Sequence, residues 1–286
     1  MATVIKIKRS ETPNQIPGAA ALEAGELAMN LTDGKLFSKT SGGVVKEVGG
    51  AGAVTLQAVT QAGAVTNNDI TLNILESLRL LKITPLLIIC STSEVYGNVS
   101  LANQPISEKN YIAPINPYAA SKTFQDLISQ VYKKIYGSKV IITRMFSYTN
   151  ARRSNLFQSA FAKQILEIEN KKKKYLFHGN LKSKRTFMDI EDAMNAYWLC
   201  AKKGKIGEVY NIGGNKTISI ENFLNELIKI SKTKIITKLN PKLLRPLDVN
   251  VQIPNSNKFK KDTGWRINVS FKESVKKLLN ELRSNL

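Results

Sequence analysis

Two cysteines, Cys90 and Cys200, and one histidine, His178, are all that this 286-residue chain has of the residues that staple small folds or bind zinc. A disulfide framework and a Cys/His metal centre are therefore excluded, and any Ser-His or Cys-His pair would have to be built on His178 alone. That histidine follows the short apolar piece Tyr175, Leu176, Phe177 and reads as a packed loop residue. Long apolar runs are also missing, since none approaches the roughly 18–20 residues that cross a bilayer. The opening MATVIKIKRSETP carries charge but no apolar signal core. No membrane span, no secretion signal and no metal are expected, and the setting these point to is cytoplasmic.

Acidic residues are scarce, with 22 Asp and Glu against 42 Lys and Arg, a formal net charge of +20. Up to residue 70 the signs balance at six each, so the whole excess lies beyond, which marks two segments of different character. Such a charge attracts polyanions without selectivity. The lysines are scattered, however, and no specific nucleic-acid partner is read from them. The run Lys171, Lys172, Lys173, Lys174 follows the apolar-periodic stretch Leu156, Phe157, Phe161, Ile165, Ile168 and reads as a solvated helix end.

Residues 17–70 alternate short β-leaning pieces with Asp33-Gly34, Gly42-Gly43 and Gly49-Gly50, which are hairpin signals between short strands. Gly50-Ala51-Gly52 lacks the third glycine of a G-x-G-x-x-G dinucleotide loop, and TLQAVTQAGAV after it has no helical stripe. From residue 71 the texture changes. Leu72, Ile74, Leu75, Leu78 and Leu81 fit a helix face, and LLIIC (86–90) is a continuous apolar run of the kind buried on both sides of a parallel sheet. A helix over about 118–136, a strand over 139–144, and helices starting near Asp189, Ser219 and Ser270 follow, the last with Glu273 completing a capping box. Trp198 and Tyr197, at helical spacing from Ala193 and Met194, read as core. The alternation predicts an α/β layer with a parallel sheet.

The chemistry falls where that layer would put it. STSEVYG (91–97) follows the buried strand, and ligand sites form at the carboxyl ends of parallel strands. Asn116-Pro117 opens a helix on which Tyr118 and Lys122 stand at i and i+4, so that an ammonium could lower a phenol's pKa and make it a base.

Over residues 71–286 the pieces NILESLRLLKI, STSEVYG, NPYAASK, ARRSNLFQSAFAKQI, GNLKSKRTFMDIEDAMNAYWL, GEVYNIGG, LLRPLDV and KFKKDTGW resemble, in order, the extended short-chain dehydrogenase/reductases, most closely the GDP-mannose 4,6-dehydratases. The resemblance implies an incomplete Rossmann-like sheet with a smaller carboxyl-terminal α/β substrate domain, mainly residues 150–286. It implies a lyase acting on a GDP-sugar with NADP. Thr92, Glu94, Tyr118 and Lys122 would be catalytic: Tyr118 takes the sugar 4-hydroxyl proton, Glu94 the C5 proton, Thr92 holds the sugar oxygen, and Lys122 holds the cofactor ribose and depresses the Tyr118 pKa. Tyr118, Lys122, Tyr148 and Arg153 would meet the cofactor. Ser93, Lys163, Arg185, Arg245 and Asp248 would bind the substrate, with Ser93 favouring the GDP-mannose branch over the dTDP-glucose one and the arginines gripping diphosphate.

The chain departs from the family in the loop FSYTNARRSN, where Ser147, Tyr148 and Ala151 replace the usual Asn, His and Pro, and upstream, where the family's glycine-rich cofactor half has no counterpart in residues 1–70. Weakened NADP binding and an exposed sheet edge at LLIIC are expected to follow. Residues 14–50 resemble a repeat-like unit of phage tail-fibre and virion structural proteins. Two alternatives therefore stand beside the dehydratase. One is a GDP-4-keto-6-deoxymannose reductase. The other is a virion or tail fusion, a chimera with a non-catalytic sugar-nucleotide module and with tail proteins as partners. A homo-oligomer is a further expectation.

Overall fold

A computed structural model describes residues 8–13, 15–23, 27–30, 35–39, 42–48, 66–153, 156–244 and 249–284. The chain divides into two compact units, residues 1–63 and 64–286. In the first, β1 (Lys8–Ser10), β2 (Leu27–Asn30), β3 (Lys35–Lys39) and β4 (Val45–Val48) form one sheet in that order. β1 runs parallel to β2, and the other pairs are antiparallel, with Asn30 facing Lys35 and Lys39 facing Val45. Two of the expected hairpin pairs, β2-β3 and β3-β4, are thus present, while Asp33, Gly34, Gly49 and Gly50 lie outside the described residues. Leu22, Ala28 and Phe37 are buried, and the Asn30 amide donates to the carbonyls of Thr12 and Gln15.

The second unit opens with helix α1 (Thr66–Leu80), which starts a turn before the stretch expected from residue 71. Three parallel strands, β5 (Leu87–Thr92), β6 (Val140–Met145) and β9 (Val209–Ile212), form a sheet in the order β5-β6-β9. Among the described strands β5 is one edge and β9 the other. Every residue of β6 is buried, as a central parallel strand requires. On one face Val140, Ile142 and Ile89 pack with Leu75 of α1 and Tyr132 of α2 (Pro117–Tyr136). On the other, Ile141 and Met145 pack with Ala193, Ala196 and Cys200 of α4 (Ile190–Lys203), with Phe259 of α6 (Asn257–Thr263) and with Trp265. The result is a Rossmann-like three-layer arrangement.

The remaining elements build a second core. Helices α3 (Phe157–Glu169), α5 (Ile220–Lys229) and α7 (Phe271–Ser284) pack around Phe161, Ile165, Phe187 and Phe223, with ring centroids 4.9 Å apart for Phe187 and Phe223. Short strands attach to it: β8 (Lys184–Thr186) lies between β10 (Thr217–Ser219) and β12 (Val251–Gln252), and β7 (Leu176–His178) pairs with β11 (Thr237–Leu239). The Asp189 and Ser219 side chains cap α4 and α5, and Ser270 accepts from the Glu273 N–H at the start of α7, as their sequences suggested. Lys171–Lys174 are exposed just past α3. Trp198 corrects the core reading. It is 60% exposed, with the Lys202 ammonium 4.7 Å from its ring centroid, because only Tyr197 of the adjacent pair turns toward the sheet.

Candidate active site

The carboxyl end of β5 turns directly into a 3-10 turn, Ser93–Tyr96, and this places the first group of side chains. Thr92 caps the turn by accepting from the Glu94 N–H at 3.3 Å. Gly97 ends it at φ 62°, a conformation that favours glycine, and a Cβ there would fall 2.0 Å from the Ala113 carbonyl oxygen. The turn is held from below by a buried polar network. Arg144 of β6 donates to both carboxylate oxygens of Asp126 on α2, at 2.8 and 3.0 Å, and to the Tyr96 hydroxyl at 2.9 Å. The Ser91 hydroxyl donates to Asp126 at 2.7 Å, and the Tyr96 hydroxyl donates to Asn211 of β9 at 2.8 Å.

The second group comes from the first turns of α2. Asn116 caps this helix, Pro117 takes its first position, and Gly137 closes it at φ 70°. Tyr118 and Lys122 therefore lie at the end of α2 nearest the turn after β5. Tyr118 as a residue is 44% exposed, but its hydroxyl end is turned inward, hydrogen-bonded by Thr92 and beside Glu94, Arg153 and Tyr148. Thr92, Glu94, Tyr118, Tyr148 and Arg153 are thus brought to one place. Burial pushes the Tyr118 phenol above the ordinary tyrosine value. The Thr92 hydrogen bond and the Arg153 guanidinium pull it down, and the Glu94 carboxylate pushes it up. The sequence pointed to Lys122 as the group that lowers this pKa. In the structure the lowering groups are Thr92 and Arg153, while burial holds Lys122 itself below the ordinary lysine value, and its ammonium donates to Gln125.

The substrate-side expectations divide. Ser93 is buried, and its hydroxyl donates to Gln252 Oε1 at 3.2 Å while Gln252 Nε2 donates back to the Ser93 carbonyl. Its side chain joins the turn after β5 to β12 rather than facing an open site. Arg185 on β8 donates to the Val249 carbonyl at 2.6 Å. Lys163 is exposed on α3. Arg245 and Asp248 lie outside the described residues. His178 ends strand β7 opposite Leu239 rather than lying in a loop, and is partly buried, with Nδ1 2.9 Å from the Gly179 carbonyl oxygen. Sequence reasoning did not single out Asp126, Arg144 or Gln252, nor Asn116 beyond its role as a helix start. The one signal available was an arginine inside an otherwise apolar buried strand, which demands a partner.

Among the described residues no group of His, Cys, Asp and Glu is arranged to hold a metal, and no helix is long and apolar enough to cross a membrane. A hydroxyl, a carboxylate and a phenol thus gather at the carboxyl end of a parallel sheet, with a lysine one helical turn on. The chain belongs to the GDP-mannose 4,6 dehydratase family, whose sequence model matches residues 35–278. It is 25% identical over 218 residues to the GDP-6-deoxy-D-mannose reductase of Pseudomonas aeruginosa, covering 76% of this chain and 72% of that one. It is 30% identical over 200 residues to the human dTDP-D-glucose 4,6-dehydratase, covering 68% of this chain but 55% of the human one. The solved structure of RMD from Pseudomonas aeruginosa complexed with NADPH shares the fold, with a TM-score of 0.71 at 24% identity over 76% of this chain and 72% of that one. The family match reaches back to residue 35, into the stretch 14–50 for which a tail-fibre likeness was expected, and none of these relatives is named as a virion component.

Proposed function

We propose that this chain acts on a nucleotide-diphosphate hexose, GDP-mannose, and eliminates water across C5 and C6 of the sugar. The observation that carries this is the Glu94 carboxylate beside Tyr118 and Thr92. A Tyr-Lys pair serves any oxidation or reduction at a sugar alcohol, whereas elimination needs a carboxylate as well. Tyr118 takes the 4-hydroxyl proton, with Thr92 orienting the oxygen. Glu94 takes the C5 proton while the C5–H electrons form the C5–C6 double bond, and returns that proton to the C6 hydroxyl, which leaves as water. A bound nicotinamide cofactor would supply hydride chemistry, accepting from C4 and delivering to C6, and a proton equal to the one taken from the 4-hydroxyl would return to C5 to complete the product.

The described residues suit one end of such a cofactor. Lys122 is half-buried on α2 and its ammonium is engaged by the neutral Gln125 amide, which leaves donors for ribose hydroxyls. Tyr148 and Arg153 flank the same place. For the pyrophosphate, the described residues include no glycine-rich turn from a parallel strand into a helix.

Incubation of the purified chain with GDP-mannose and NADP, read by mass spectrometry, is expected to give a product lighter by one water. The absence of that product from the wild-type chain would overturn the dehydratase reading. Similarity to the Pseudomonas reductase supports the second reading, and net reduction of a 4-keto sugar by NADPH without loss of water would select it.

A homo-oligomer is supported by the outer face of α2, where Phe124, Leu127, Val131 and Ile135 stand exposed at helical spacing. Light scattering is expected to give a mass above one chain, and paired Leu127→Lys and Val131→Lys substitutions to reduce it to one. A wild-type chain that scatters as a monomer would exclude the interface.

A further inference from the structure

Asn116 does two things with one side chain. Its Oδ1 accepts from the Ala119 N–H at 2.8 Å, capping the helix that carries Tyr118 and Lys122. Its Nδ2 donates at 2.8 Å to Oε2 of Glu94, twenty-two residues earlier on the turn after β5. The orientation of the amide is forced, because turning it over would set an N–H against the Ala119 N–H and an oxygen against a carboxylate. The carboxylate and the phenol are therefore referenced to the same atom group, and the distance between them is not left to two independent loops.

We infer that Asn116 is the positioning residue of the acid/base pair: it clasps Glu94 to the start of α2, so that the carboxylate that takes the C5 proton stands at a set place relative to Tyr118. This rests on the dehydratase reading for its consequence in turnover, though the clasp itself does not. Other residues cap helices as well as asparagine does, notably serine and aspartate. Serine is too short to bring a donor to Glu94, and aspartate would bring an acceptor. Capping alone would thus be served by three residue types, while capping joined to the clasp is served by asparagine.

The test takes three readouts: the thermal stability and the kinetics of Asn116→Ser and Asn116→Asp against the wild-type chain, and the Asn116 amide signal in chains that keep it. Asn116→Ser keeps a cap, so its thermal midpoint is expected to stay with the wild type. Its affinity for GDP-mannose is expected to hold within about twofold, and kcat for loss of water to fall about 10- to 100-fold, the scale of a misplaced reacting group. Asn116→Asp, which sets a second carboxylate against Glu94, is expected to lose at least as much. The third readout needs no turnover. In the nitrogen-15 spectrum the Asn116 side-chain amide is expected to move when Glu94 is changed to Ala and to stay in place when Glu191, an exposed carboxylate on α4, is changed to Ala. Wild-type kcat in Asn116→Ser, or an amide signal indifferent to Glu94→Ala, overturns the inference. If the wild-type chain releases no water from GDP-mannose, the dehydratase reading fails on its own and the amide signal still decides the clasp.

Discussion

Asp126→Ala is expected to destabilise the chain by about 3–5 kcal/mol, the cost of leaving one charge of a buried pair alone. Asp126 is fully buried and Arg144 is 3% exposed, so neither can turn to water when its partner goes. Asp126 accepts four donors: two from Arg144, one from Ser91 and one from Gln130 at 2.7 Å. Removing it takes this acceptor from all four, between α2 and the sheet. The guanidinium would keep only the Tyr96 hydroxyl, the Glu108 carbonyl and the Tyr96 ring, whose centroid lies 5.0 Å away. A loss of this size is a large part of the roughly 5–15 kcal/mol that holds a domain together. Urea denaturation checks it, with a stability unchanged within about 1 kcal/mol counting against the network. Asp126→Leu combined with Arg144→Met, which removes both charges, is expected to recover part of the loss.

The largest effect on turnover is expected from Tyr118→Phe, a fall in kcat for water loss of about 10²- to 10⁴-fold, or roughly 3–5 kcal/mol of barrier. The ring and the helix cap are retained, so GDP-mannose affinity should hardly change. A variant within tenfold of the wild type would remove Tyr118 from the chemistry. The pH dependence follows from the same surroundings. Burial holds the phenol above the ordinary tyrosine value, so the reactive phenolate grows as pH rises through and beyond neutrality, and kcat should climb with it. The Thr92 hydroxyl pulls the other way. Thr92→Val is therefore expected to raise the Tyr118 pKa further and carry the rate profile to higher pH, so that the rate at neutral pH falls about tenfold if the profile moves by one pH unit. A profile left in place would show that the Thr92 hydrogen bond does not tune the phenol.

Much of this architecture can be read from local chemistry. Asn116-Pro117, Asp189, Ser219 and Ser270 each mark a helix start, because a cap is made by residues two or three positions apart and leaves its mark in sequence. The gathering of Thr92, Glu94 and Tyr118 was likewise legible, since a post-strand turn and a helix start in a parallel layer meet at the strands' carboxyl ends.

What escaped is long-range choice of partner. Ser93 could as well have faced a ligand as Gln252, and nothing within a hundred residues of it says which. Asp126 sits on a helix whose face alternates polar and apolar, and only the position of β6 reveals that it faces Arg144. The groups that surround the Tyr118 hydroxyl were hidden for a related reason. The i, i+4 rule places Lys122 near Tyr118 along the helix, but Thr92 and Arg153 reach the hydroxyl from other elements. Trp198 shows the limit of counting turns, because one step of the helix separates a side chain on the sheet from one in water.

The join between Ser93 and Gln252 bears on how the chain is made. The two residues are 159 positions apart, and the strip around Gln252 is also stitched to the loop at Gln104–Ile106 by Ile253 N–H to Gln104 at 3.0 Å and Ile106 N–H to the Ile253 carbonyl at 2.7 Å. A ribosome adding about 5–20 residues per second needs roughly 10–30 s to pass from one side of this join to the other. Through that interval β5, α2 and β6 can assemble with their buried charges paired, while the turn bearing Thr92 and Glu94 lacks its far support. The reactive corner is thus completed near the end of synthesis, and a nascent chain that stalls before Val251 would have an unfinished site and a sheet still missing Phe259 and Trp265 from one face.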